Sequence, residues 1–275
     1  MFSPFQTCWD RVARAEVHRQ ALIKTWEGID VQDVYSTEVE VDNNGNAKLF
    51  FRNVKQDWLL PFAFQVGEML YHLRSGLESC IYDAAILEFK ADPPPDEERW
   101  GFLICATPEK FDEAARRMKK LPDALRSLME AVQPYARAAC GTPSVPYRWD
   151  LGKVLDLLNL WAKIDRHRRL NLVGTAVTRG NVGFGFSSLG TGMSVVDFDY
   201  SAGEHLLEDG TELATFRVEN FVPNAGIHVD AQFSIEILVN EAPGMCKLQD
   251  AALTMGLSVS AVRESFERHY GIKRV

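Results

Sequence analysis

The chain has 275 residues, of which 46% are apolar, 25% charged and 11% aromatic, enough to close a full core as one large domain or two joined ones. That composition excludes a disulfide-stapled miniprotein and a disordered chain. A formal charge of -8 excludes a surface that is basic overall, the usual basis of general nucleic-acid or membrane-surface binding, but leaves room for a local basic patch.

In chain order, Ser3-Pro4-Phe5-Gln6 reads as a helix start, with Ser3 as cap, Pro4 in the first turn and Gln6 completing a capping box. A helix over 4–26 follows. Asp10 and Arg11 arrive before any apolar run, so no secretory leader is expected. Thr37, Val39 and Val41 alternate with Glu38, Glu40 and Asp42; Asn43-Asn44-Gly45-Asn46 then turns the chain into 47–54, a β-hairpin with one wet face. The apolar run 58–66 is broken by Pro61 and is far shorter than the roughly 20 residues a bilayer demands.

Over 64–87 the period becomes helical, with Val66, Leu70, Leu73, Leu77, Ile81 and Ala84 in one stripe. This predicts a central helix. Residues 91–99 form an acidic, proline-rich loop, and the apolar run 102–105 reads as a strand. Thr107-Pro108 caps another helix, and Leu125, Leu128, Met129 and Val132 mark one more after Pro122, ending at Gln133-Pro134-Tyr135. Residues 141–146 read as a linker. A helix over 149–168 carries Val154, Leu157, Leu158, Trp161 and Ile164 on one face. Strands are predicted at 170–178, 193–198, 211–218 and 227–239, and a last helical region at 247–270. The glycines between Gly174 and Gly192 read as turns and bulges, since no G-x-G-x-x-G lies between a strand and a helix.

The expected class is α+β: N-terminal helices packed against one another and on a mainly antiparallel sheet, with a C-terminal helix. A helical part with an inserted hairpin occupies 1–170 and a β-rich part with the final helix occupies 171–275, within one composite domain. Cys8, Cys80, Cys105, Cys140 and Cys246 are odd in number and without CxxC spacing, so they read as reduced thiols of a cytoplasmic protein.

Chemistry is expected where charge invades an apolar stripe. Asp165 follows Trp161 by four residues and Arg168 follows Ile164 by four, so both extend the buried face, whereas His167 lies on the solvated side. Buried charges need partners. On the central helix Arg74 and Glu78 fall on one border of the stripe with Tyr71, and His72, Ser79 and Asp83 on the other. The simplest pairing joins Arg74 to Asp165 and Glu78 to Arg168. Glu68 and His72 stand at i, i+4, a metal-ligand spacing, but two ligands are not a site, and His18, His205, His228 and His269 read as isolated. No metal and no cofactor are expected.

The run Gly67, Glu68, Leu70, Leu73, Arg74, Ser75, Leu77, Glu78, with Asp165-Arg166-His167-Arg168 later and Gln133-Pro134-Tyr135 between, resembles a pattern of uncharacterised bacterial proteins of this size. In them a glycine and an acid precede His-Asn-Leu-Arg-Ser-Ala-Leu-Asp-His, and an Asp-Lys-His-Arg element follows. The similarity covers roughly residues 9–170. That run is in turn similar to the R-x4-6-H motif of HEPN domains, many of which are dimeric, metal-independent ribonucleases. The resemblance implies an arginine that stabilises phosphorane charge, a histidine that moves a proton, and a homodimer. This chain has Ser79 at the motif histidine and Tyr71 at the upstream histidine, which leaves His72 or His167 as the proton carrier.

A third class comes from the C-terminus, where Ala252, Gly256 and Val262 have helix-turn-helix spacing with Arg263, Arg268, Lys273 and Arg274 nearby; the alternative is one final helix kinked at Gly256. Few phosphate contacts are on offer, so nucleic acid is a secondary partner class. The expectation is therefore a binding or interaction protein built around Arg74, Glu78, Asp165 and Arg168, taking an unidentified ligand or protein, with no membrane. A HEPN-like ribonuclease and a DNA-binding regulator are its alternatives.

Overall fold

Helical periodicity and strand alternation partition this chain cleanly, and the computed structural model follows them. It describes residues 3–55, 57–118, 121–136, 151–177, 182–186, 192–200, 204–222, 227–231, 234–241 and 244–272. Cys140, the linker 141–146, Trp149, Thr178, Lys273 and Arg274 lie outside the described residues. The helices are α1 (Gln6–Glu27), α2 (Val31–Val34), α3 (Leu60–Phe89), α4 (Pro108–Arg117), α5 (Asp123–Glu130), α6 (Leu151–His167) and α7 (Leu248–His269). The strands are β1 (Ser36–Val41), β2 (Asn46–Arg52), β3 (Leu172–Val177), β4 (Val182–Phe186), β5 (Ser194–Tyr200), β6 (Glu204–Leu206), β7 (Glu212–Glu219), β8 (Ile227–Ala231), β9 (Ser234–Glu241) and β10 (Gly244–Lys247). The protein is α+β, and the described strand pairs are antiparallel.

The chain forms two units, one of residues 1–24, 62–170 and 248–275, the other of residues 25–61 and 171–247. Sequence grouped the hairpin with the helices and the last helix with the strands; contacts place each with the other group. The hairpin joins the β unit because β2 pairs with β7, extending the sheet to β1-β2-β7-β5. A second sheet runs β10-β9-β3-β6, and β4 pairs with β8. The run 227–239 is thus two strands, β8 and β9, in different sheets. Gly174, Gly183 and Gly185 lie within strands instead of turns; at Gly174 a side chain would meet the Trp58 ring at 2.7 Å. Leu49, Phe51, Leu213, Phe216, Val218 and Ile235 centre the core of this unit.

In the helical unit the stripe predicted on α3 is buried, from Val66 through Leu70, Leu73 and Leu77 to Ala84. α1 runs antiparallel to α3: Cys8 lies beside Gly76, Arg11 beside His72 and His18 beside Gln65. The capping box at the start of α1 does not form. Gln6 turns its amide to Asp10, and the backbone N–H of Phe5 instead donates to the buried Asp83 carboxylate at 2.6 Å. Thr107 does cap α4, with Pro108 in the first turn.

Residues 102–105 are not a strand, because side chains supply what a neighbouring strand would. Glu78 accepts from the Phe102 N–H at 2.7 Å and Arg74 donates to its carbonyl at 2.9 Å. The buried Gln133 amide donates to the Leu103 carbonyl and accepts from the Cys105 N–H, both at 2.7 Å. With its backbone groups satisfied in this way, the segment needs no sheet. α7 is one continuous helix through Gly256, so no turn separates two helices there and the helix-turn-helix geometry is absent. Its buried face is Ala251, Met255, Val259, Val262 and Phe266, and within the helical unit α6 packs against it.

Candidate metal centre

The predicted ion network takes a different form. Arg74 pairs with Glu78 one turn along its own helix at 2.5 Å, and both then close on the Phe102 backbone. Asp165 instead presses on Gly67, where a side chain would approach its Oδ2 to 2.7 Å. Gly67 is seven residues before Arg74, about 10 Å along a helix, so the Arg74–Asp165 pair is replaced. Arg168 is exposed and donates to the Arg169 carbonyl at 3.1 Å, while Glu78 is already engaged by Arg74 and Phe102. His167 is exposed, as its position on the solvated side implied.

Glu78 also faces an open cleft of about 550 Å³, lined by Ser3, Ser79, Tyr82 and Asp83 among others. Ser79 donates to the Ser75 carbonyl, and burial, which raises it most, lifts Asp83 to a pKa of about 6 against the Phe5 hydrogen bond. Arg74 turns toward Phe102, so among the described residues Arg74 has no histidine partner.

The other border brings together a set that sequence left incomplete. His18 of α1 meets Glu68 and His72 of α3, one ligand atom of each residue lying within 4.8 Å of the others. The imidazoles stack with centroids 5.5 Å apart and planes inclined by 23°. Antiparallel packing causes this: His18 lies two turns after Arg11, so it faces α3 two turns before His72, and the i, i+4 spacing of Glu68 and His72 keeps both on that face.

Their surroundings set the protonation. His18 Nδ1 lies 3.0 Å from the Gln65 amide oxygen, which accepts, so Nδ1 carries a hydrogen and Nε2 is the nitrogen that a metal ion would take. His72 Nδ1 lies 3.3 Å from Arg11 Nη1, and a guanidinium can only donate, so this nitrogen accepts. Burial first, then the charges of Arg11 and His18, push the His72 pKa down. A neutral ring is the form that ligates a metal. Burial first, then the charge on Glu68, lifts the Asp165 carboxyl above its ordinary range. Among the described residues Asp165 has no hydrogen bond or ion pair.

Two imidazoles and a carboxylate form the donor set of a divalent transition ion. Around a tetrahedral ion bound at about 2.05 Å the donors stand about 3.4 Å apart, so from separations within 4.8 Å the three groups must close by up to about 1.4 Å. His18 and His72 are half-buried and Glu68 is exposed, which leaves them free to make that rotation. Sequence reasoning missed His18. The register that brings it to α3, with Cys8 of α1 beside Gly76, is visible only in the fold.

No protein-family model, curated protein or solved structure matches the chain.

Proposed function

We propose that the protein binds a divalent transition-metal ion through His18, Glu68 and His72, and so acts as a metal-binding protein and not as one organised by an Arg74–Asp165 network. One observation carries this reading: three ligand atoms from two helices lie within 4.8 Å of one another. Asp165 supports it, since its charge and that of Glu68 oppose each other and a cation relieves both. Three protein donors leave the ion positions for water or a substrate oxygen. Zn²⁺, Co²⁺ and Ni²⁺ suit imidazole donors better than Mg²⁺ or Ca²⁺.

The test is titration of the metal-free protein with Co²⁺, read by visible absorption, and with Zn²⁺, read by calorimetry. One ion should bind per chain, and His18→Ala, His72→Ala and Glu68→Ala should each weaken binding by more than about tenfold. Binding that is absent, or unchanged in His18→Ala and His72→Ala, contradicts the proposal.

Arg11 on His72 favours a second reading, metal-independent cleavage of a phosphodiester in RNA. Here His18 and His72 serve as acid and base and Arg11 supports phosphorane charge, in place of Arg74 and Ser79. RNA cleavage that persists in chelator and is lost in His72→Ala supports this reading, whereas intact RNA under those conditions removes it.

A further inference from the structure

Resting on the metal-binding reading, we propose that Arg11 is a built-in competitor of the ion, which must be displaced from His72 before the site can fill. Arg11 Nη1 is 3.3 Å from His72 Nδ1, and its guanidinium carbon is 5.5 Å from the centre of the Tyr71 ring. A neutral imidazole has one lone-pair nitrogen. With Nδ1 accepting from Arg11, the ring hydrogen is on Nε2.

The ion then has two routes, and both exclude this hydrogen bond. An ion that takes Nδ1 replaces the guanidinium directly. An ion that takes Nε2 requires the hydrogen to move to Nδ1, where it would face the N–H of Arg11. The guanidinium charge also opposes a dication at this distance. Displaced, Arg11 has the face of the exposed Tyr71 ring beside it, an attractive surface for a cation.

This arrangement makes Arg11 a specificity-determining residue. Only ions that gain strongly from imidazole repay its displacement, so Zn²⁺ passes the threshold and Mg²⁺ does not.

The experiment titrates Zn²⁺ by calorimetry into the full-length chain as wild type, Arg11→Met and Arg11→Lys. Methionine keeps a long side chain beside Tyr71 but cannot donate, while lysine keeps the donor and the charge. Arg11→Met should bind about tenfold more tightly than wild type and Arg11→Lys should stay near wild type. Adding His72→Ala to Arg11→Met should remove the gain. Equal or weaker binding by Arg11→Met, with His18→Ala and His72→Ala still impaired, overturns the role of Arg11 and leaves the metal site standing; no binding by any form overturns both. Nitrogen NMR of the histidine rings in metal-free wild type checks the proposal independently of folding in the variants. The Nε2–H form of His72 is expected there, and the Nδ1–H form contradicts it.

Discussion

The two borders of α3 carry similar residues to different ends. On one, Arg74 and Glu78 spend their charge on each other and on both backbone groups of Phe102. On the other, Glu68 meets two imidazoles, and among the described residues the charge that acts on the nearby Asp165 is the same-sign Glu68. On the first border the charges are matched to each other and to backbone, although among the described residues Arg74 Nη1 has only its ion pair with Glu78 and no hydrogen bond; the second has lone pairs and negative charge left over. Closed polar sets fix structure, and open ones are where a ligand can gain.

Breaking the closed border should produce the largest loss of stability. Arg74→Met strands the Phe102 carbonyl and leaves Glu78 without its cation, and should lower stability by about 2–3 kcal/mol in chemical denaturation, with Zn²⁺ affinity unchanged. Unchanged stability in that variant would make the border as open as its counterpart.

Asp83, on the α1-facing border, sharpens the contrast through pH. Its folded pKa of about 6 lies above the ordinary value of 3.8, so the native state holds its proton more firmly than the unfolded chain does. The stabilisation from this group is full below pH 3.8 and is lost as pH rises through 6. Asp83→Asn keeps an acceptor for the Phe5 N–H and carries no charge. It should be more stable than wild type by about 3 kcal/mol at pH 8, with the difference vanishing below pH 4. A variant less stable than wild type at pH 8 contradicts the burial argument.

The smallest effect is expected at Gly67. Its added methyl in Gly67→Ala meets the end of the Asp165 side chain, which can swing away, so the cost in a thermal melt should stay under about 1 kcal/mol. A larger loss would show that Asp165 is rigidly held.

Much of this was legible in the residues. The α3 stripe, the Thr107-Pro108 cap, the hairpin and the assignment of Arg74 and His72 to opposite borders all follow from periodicity and local chemistry. The partners across space were not legible. Opposite charges in sequence suggested Arg74 with Asp165, but a backbone N–H and carbonyl at Phe102 serve Arg74 and Glu78 as well as side chains would, and every residue carries those groups. The same blindness turned 102–105 into a strand, since Gln133 and Glu78 do the work of a neighbouring strand. Helix-turn-helix spacing at Gly256 failed because an isolated glycine costs a helix only about 1 kcal/mol, which packing of α7 offsets. His18 was missed because a third ligand from another helix depends on register, which neither helix reveals alone.

The open border of α3 is a metal centre only if an ion sits between His18, Glu68 and His72. Diffraction from crystals grown with Zn²⁺, recorded on both sides of the zinc absorption edge, should show one anomalous peak bonded to His18, Glu68 and His72, with the Arg11 guanidinium turned away. Density in which Arg11 still contacts His72 and no anomalous peak lies between the three side chains would contradict it.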